Sequence, residues 1–155
     1  MIGQGFTSHM FRELRRERGI GYAPRATYTA MGRHAFLALG VPGLHPSNCE
    51  QAIGIMQDIV HRMKSTLAHP DFLEGKKTQM IASNHINLDE PGYRTNAFLT
   101  QEFDAPYYDF RDIAKHLSEV TPEQLRDAAE RNLQGYQILI ASAPGYTNRF
   151  HAQNP

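Results

Sequence analysis

The sequence predicts an α+β fold, a mainly antiparallel sheet with helices packed on one face. Three observations carry that prediction. Two strand-like runs, 21–30 and 33–41, stand side by side with only the tight-turn pair Met31-Gly32 between them. Behind them comes an apolar stripe at helical intervals of three and four. The strand-like runs cluster instead of alternating with helices, which disfavours a parallel sheet built from strand-helix-strand units.

The length, 155 residues, is room for one ordinary domain, and a chain of that size buries roughly 70% of its unfolded surface. Hydrophobic residues make up 41% and charged residues 21%, so a core can form without metal or disulfide staples. Lys plus Arg equals Asp plus Glu, 16 of each. Nucleic-acid binders draw most of their affinity from phosphate neutralisation and carry a basic excess, so that class is disfavoured. The lone Cys49 can form neither an intrachain disulfide nor a Cys-rich zinc site. No stretch approaches the 18 or so apolar residues of a membrane span. Met1–Phe6 lacks the basic start and apolar run of a signal peptide.

Gly3-Gln4-Gly5 reads as a flexible lead-in, followed by a helix from about Ser8 to Arg18. Phe6, Met10, Phe11 and Leu14 mark its apolar side, arginines the other, and Gly19 its stop. Of the two strand-like runs, Ala35–Val41 is continuously apolar and predicts a buried strand, with the segment holding Tyr22, Thr27 and Tyr28 as its antiparallel partner. Ser47 and Glu50 have the spacing of a capping box. Behind them Cys49, Ala52, Ile53, Met56, Ile59, Val60, Met63 and Leu67 form the clearest amphipathic stripe. Further helices are expected from Pro70 to about Asn87, from Pro91 to Phe103, and from about Phe110 to Leu117. Thr121-Pro122-Glu123-Gln124 opens a last helix with cap, proline and capping-box glutamine. Tyr136–Ala141 predicts a closing strand.

Eight histidines raise the question of a metal, but neither H-E-x-x-H nor H-x-x-E-H occurs. His9 with Glu13 and His45 with Cys49 are pairs at helical spacing without a third partner, so they read as ordinary surface and core residues. No G-x-S-x-G supports a serine hydrolase, and Gly3-Gln4-Gly5 lacks the third glycine of a dinucleotide fingerprint. Cys49 opens an apolar stripe and reads as a small buried hydrophobe. The informative segment is Phe11 to Tyr22, with four arginines and two glutamates. By charge pattern alone it reads as a solvated helix face laced by ion pairs.

The pattern Phe-x-x-Leu-Arg-x-x-x-Gly-hydrophobic-Gly/Ala-Tyr, here Phe11, Leu14, Arg15, Gly19, Ile20, Gly21 and Tyr22, resembles a motif in the C-terminal half of the pitrilysin/insulinase family of zinc metallopeptidases. The relatives of insulin-degrading enzyme and the mitochondrial processing peptidase belong to it. The glycine-rich lead Gly3 to Ser8, the hairpin, the long helices (one bearing Lys76 and Lys77) and the closing strand follow a similar order. The resemblance spans 3–145 as a single domain, with 146–155 as a flexible tail. It differs at His9, where many relatives carry an arginine. Relatives also have a strand-helix-strand portion before the glycine-rich lead, so the resemblance implies an incomplete sheet and a fragment of a longer polypeptide.

The resemblance implies a clamshell enzyme of two halves. Zinc sits in the first half, and this chain, as the second, holds neither metal nor other cofactor. Arg15 and Tyr22 would face the zinc site, Arg15 gripping substrate carbonyls and Tyr22 gripping substrate and acting in catalysis as a donor to the oxyanion. The partners implied are the zinc-binding N-terminal half or subunit and a peptide substrate, added as an extended strand along the hairpin edge near Thr27 and Tyr28. A second copy pairing through the exposed sheet edge is a further expectation. Two other readings stand beside this one: a catalytically inactive structural or core-subunit homologue, and a peptide-binding scaffold acting through Arg12 to Arg18.

Overall fold

Met10, Leu14, Ala52, Ile55 and Ile59 form the apolar cluster around which the first part of the chain folds. Ala26 and Leu39, at the base of a hairpin, and Ile20, Val41 and Leu44 pack against it, so helical side chains cover the sheet on one side there. The computed structural model describes residues 1–3, 5–31, 34–103, 112–135 and 138. They gather into two compact units. The first comprises Met1–Thr27, Leu39–Thr66 and the chain from Arg126 onward; the second comprises Tyr28–Ala38 and Leu67–Leu125.

The hairpin consists of β1 (Arg25–Met31) and β2 (His34–Gly40), joined through two residues and therefore antiparallel. Of the expected turn Met31-Gly32, Met31 is the last residue of β1, and Gly32, like residue 33, lies outside the described residues. β1 starts only after Pro24, which lacks the N–H a ladder needs, so Gly21–Pro24 is a loop where a strand was expected. The α+β class is as the sequence predicts, with the sheet limited to two strands among the described residues. The expected buried strand is not buried: Phe36 and Tyr28 are exposed, because the core grips only the hairpin's base.

The N-terminal helix is not a regular α-helix. Phe11–Arg16 adopts π geometry, with the Glu17 N–H donating to the Arg12 carbonyl at 2.9 Å. Met10 and Leu14 are fully buried as the apolar pattern requires, but Phe6 stands in solvent, edge-on to Phe11 at 5.0 Å.

α1 (Cys49–Ser65) buries Cys49, Ala52, Ile55 and Ile59, while Ile53, Met56 and Val60 are half-buried. The apolar arc is wider than the face the core accepts. The capping box expected from Ser47 and Glu50 does not form. A short 3₁₀ turn, Pro46–Asn48, precedes α1, and His45 caps it: its Nδ1 accepts from the Ser47 N–H at 3.3 Å and lies 2.7 Å from Ser47 Oγ. Ser47 is thereby committed one turn too early to cap α1. The end of α1 is tied down by Lys64, whose Nζ donates to the Leu133 carbonyl at 3.3 Å.

In the second unit α2 (Pro70–Leu88) packs against α3 (Pro91–Phe103) and α4 (Ile113–Glu119). The expected starts at Pro70 and Pro91 hold; the α3 start is capped by the Glu90 carboxylate, which accepts from the Gly92 and Tyr93 N–H groups. The weak apolar stripe of α2 has its explanation in what it buries. Leu73 is joined by Lys76, Lys77 and Asn84. Lys77 Nζ donates to Glu74 Oε1 at 2.6 Å and to the Ser118 carbonyl on α4 at 3.2 Å. Lys76 Nζ reaches Gln79 Oε1 at 3.0 Å, and burial pushes its pKa down. The α4 start expected at Phe110, the tail 146–155 and, apart from Ile138, the closing strand Tyr136–Ala141 fall on residues outside those described. α5 (Pro122–Asn132) begins with the capping box as predicted: Gln124 N–H donates to Thr121 Oγ1 at 3.2 Å, and Thr121 N–H to Gln124 Oε1 at 3.0 Å.

Candidate functional site

The segment from Ser8 to Tyr22 is locked at both ends by backbone chemistry. Ser8 is buried; its Oγ accepts from the Phe11 N–H at 3.3 Å, satisfying a donor at the helix start. At the other end Gly19 takes φ +63°, and the Ile20 and Gly21 N–H groups both turn back to the Leu14 carbonyl, at 2.9 and 3.3 Å. Glycine is required at the first position by its left-handed backbone. At Gly21 close approach is the reason: a Cβ there would lie 2.6 Å from Val41 Cγ1. The chain thus reverses tightly over Leu14 and brings Tyr22 back above the helix.

The result joins the two residues that the sequence singled out. The Arg15 guanidinium carbon lies 4.5 Å from the centre of the Tyr22 ring and 5.0 Å from that of Phe11. Such a cation–ring contact is worth about 0.5–1 kcal/mol at an exposed site. Tyr22 is 75% exposed, so its phenol is presented to whatever binds. Both residues border an open depression of about 400 Å³, whose other walls are the Gly19–Gly21 turn, Gly43, His45 and Asn48.

The charges around Arg15 are sorted unevenly. Glu13 is only 7% exposed and is held by Arg62 of α1 at 2.6 Å, with Arg12 at 3.6 Å and His9 at 3.9 Å. Arg18 Nη1 donates to the Glu13 carbonyl at 2.9 Å. Glu17 pairs with Arg12 at 3.6 Å and Arg18 at 3.4 Å. The solvated-face reading therefore holds for Glu17 and fails for Glu13, which anchors the helix to α1. Neither Arg15 nor Arg16 meets a carboxylate among the described residues. The His9 imidazole is pushed below its usual range, first by burial and then by the Arg12 charge.

The two histidine pairs have ordinary roles. His9 and Glu13 do meet, but their third neighbour is the cation Arg62, and His45 is committed to Ser47 while Cys49 is buried in the apolar face of α1. Among the described residues no three His, Cys, Asp or Glu side chains gather where one ion would reach them all. The site residues that sequence reasoning missed are His45 and Asn48. The Pro42-Gly43 dipeptide, with Gly43 at φ +70°, is the turn signal that brings them to the depression.

No protein-family model and no curated protein matches the chain. Among solved structures it is similar to a crystal structure described as the peptidase M16 inactive domain from Pseudomonas fluorescens. The TM-score is 0.66 at 20% sequence identity, over 83% of this chain and 31% of the other. At that identity the likeness is one of fold, and the chain spans about a third of the neighbour's length.

Proposed function

We propose that this chain is the substrate-binding, non-catalytic half of a clamshell metallopeptidase. Peptidase M16 is the pitrilysin/insulinase family, so the neighbour's description and the motif around Arg15 and Tyr22 support one reading from independent directions. The observation that carries it is the stack itself: two residues seven apart in sequence, 4.5 Å apart in space, beside an open depression.

In this reading Arg15 holds peptide carbonyls with a permanently charged fork of donors. Tyr22 donates its phenol proton to the oxygen that gains charge as the scissile carbonyl is attacked. The chain's own donor set does not fit zinc among the described residues. The metal belongs to the counterpart half, where it supplies an activated water. The test is reconstitution with a polypeptide from the same source that bears H-x-x-E-H. The chain alone, given zinc and peptide, should show no hydrolysis above a chelated control. In the reconstituted pair Tyr22→Phe should lower kcat about 100-fold, and Arg15→Ala should lower kcat/KM. Hydrolysis by the chain alone, or a pair indifferent to both substitutions, overturns the proposal.

A second reading is a core subunit without peptidase activity. The exposure of Tyr28 and Phe36 on the hairpin favours it, since aromatic surface of this kind suits burial against a partner. It predicts the second of those overturning results, with assembly intact.

A further inference from the structure

We propose that the depression beside Arg15 is a carboxylate site, taking an acidic side chain or a free C-terminal carboxylate of a bound peptide. The proposal rests on the reading of this chain as a peptide-gripping half, and it names the chemistry that the grip selects.

Four observations lead there. Arg15 has no carboxylate partner among the described residues although Glu13 and Glu17 flank it two residues away on either side; both are spent, the first on Arg62 and the second on Arg12 and Arg18. Its guanidinium carbon is held 5.0 and 4.5 Å from the Phe11 and Tyr22 ring centres, and among the described residues none of the guanidinium N–H groups donates to an acceptor. The donor fork of a guanidinium matches the two oxygens of a carboxylate in bidentate geometry. His45 adds a second donor. Its Nδ1 accepts from the Ser47 N–H, a group that can only donate, so in the neutral ring the proton sits on Nε2. Finally, no Asp or Glu borders the depression, while Arg15, His45 and the Asn48 amide do. A cation held in place by two rings, with hydrogen-bond donors around it and no competing anion, is an incomplete ion pair.

The test uses the full chain and direct binding, with no hydrolysis needed. Three alanine pentapeptides serve as probes: one capped at both ends with a central glutamate, its glutamine counterpart, and the glutamine peptide with a free C-terminal acid. At least one acid-bearing probe should bind about 10-fold more tightly than the neutral peptide, and which of the two does so identifies the source of the carboxylate. Arg15→Gln should erase the difference, and Arg15→Lys should restore only part of it, because the fork is lost and the charge kept. His45→Gln, which leaves the ring stack untouched, should reduce it. Arg16→Gln should leave it unchanged, which separates a site from general positive charge. Equal affinities, discrimination that survives Arg15→Gln, equal sensitivity to Arg16→Gln, or no binding of either acid probe at millimolar concentration overturns the proposal. Acid preference without hydrolysis in the reconstituted pair would refute the peptidase reading and leave the site standing. Hydrolysis dependent on Tyr22 without acid preference would do the reverse.

Discussion

Glu13 shows how a residue's role turns on a neighbour far away in sequence. Its place in a charged run suggests solvent, yet Arg62, 49 residues on, draws it into the core at 2.6 Å. His9 stands beside that pair with its pKa lowered, largely by burial and then by Arg12. The folded state therefore takes up a proton less readily than the unfolded chain, whose imidazole titrates near 6.5. Stability is full above that value and declines as the pH falls below it toward the folded-state pKa. Urea midpoints at pH 7.5 and 5.5 should show the loss, and His9→Gln should shrink the difference between them. A midpoint in His9→Gln that moves with pH as in the parent would assign the effect elsewhere.

At the scale of elements, the helices that begin with proline or a capping box were legible because their signals are local. Pro70, Pro91 and Thr121-Pro122 each start a helix where the sequence places it. Ser47 failed for an equally physical reason: His45, two residues earlier, competes for it and turns the chain into a 3₁₀ step. Two substitutions separate the cases. Thr121→Ala should cost about 1 kcal/mol, since it removes half of a formed capping box. Ser47→Ala should cost clearly less in the same chemical denaturation measurement, because α1 loses no cap bond. The exposure of β2 was not legible, since a continuous apolar run says nothing of how many strands lie beside it. Of the site, Arg15 and Tyr22 were legible through a contiguous motif. His45 and Asn48 reach the depression from more than 20 residues on, and the Pro42-Gly43 turn signal before them says nothing of which residues they will border.

For the molecule as a whole, the site belongs to the first unit and leans on its core. Leu14 is fully buried, and its carbonyl receives the two N–H groups that close the turn before Tyr22. Leu73 is buried in the second unit. Leu14→Ala and Leu73→Ala should each cost about 3 kcal/mol of stability. Only the first should also abolish the distinction between acid-bearing and neutral peptides, measured under conditions where both variants remain folded. Equal loss in both would mean that the grip depends on the entire chain. The widened turn at Phe11–Arg16 has a consequence for sequence change. A π turn is an α-helix with one residue too many. Deleting a single residue there would return the backbone to its commoner winding with the flanking residues on nearly their former faces, since five residues of a π turn and four of an α turn sweep about the same angle. An ordinary helix that lost one residue would turn everything beyond it by about 100°, so this stretch can shed a residue ahead of the Gly19 turn with less disturbance than a regular helix could.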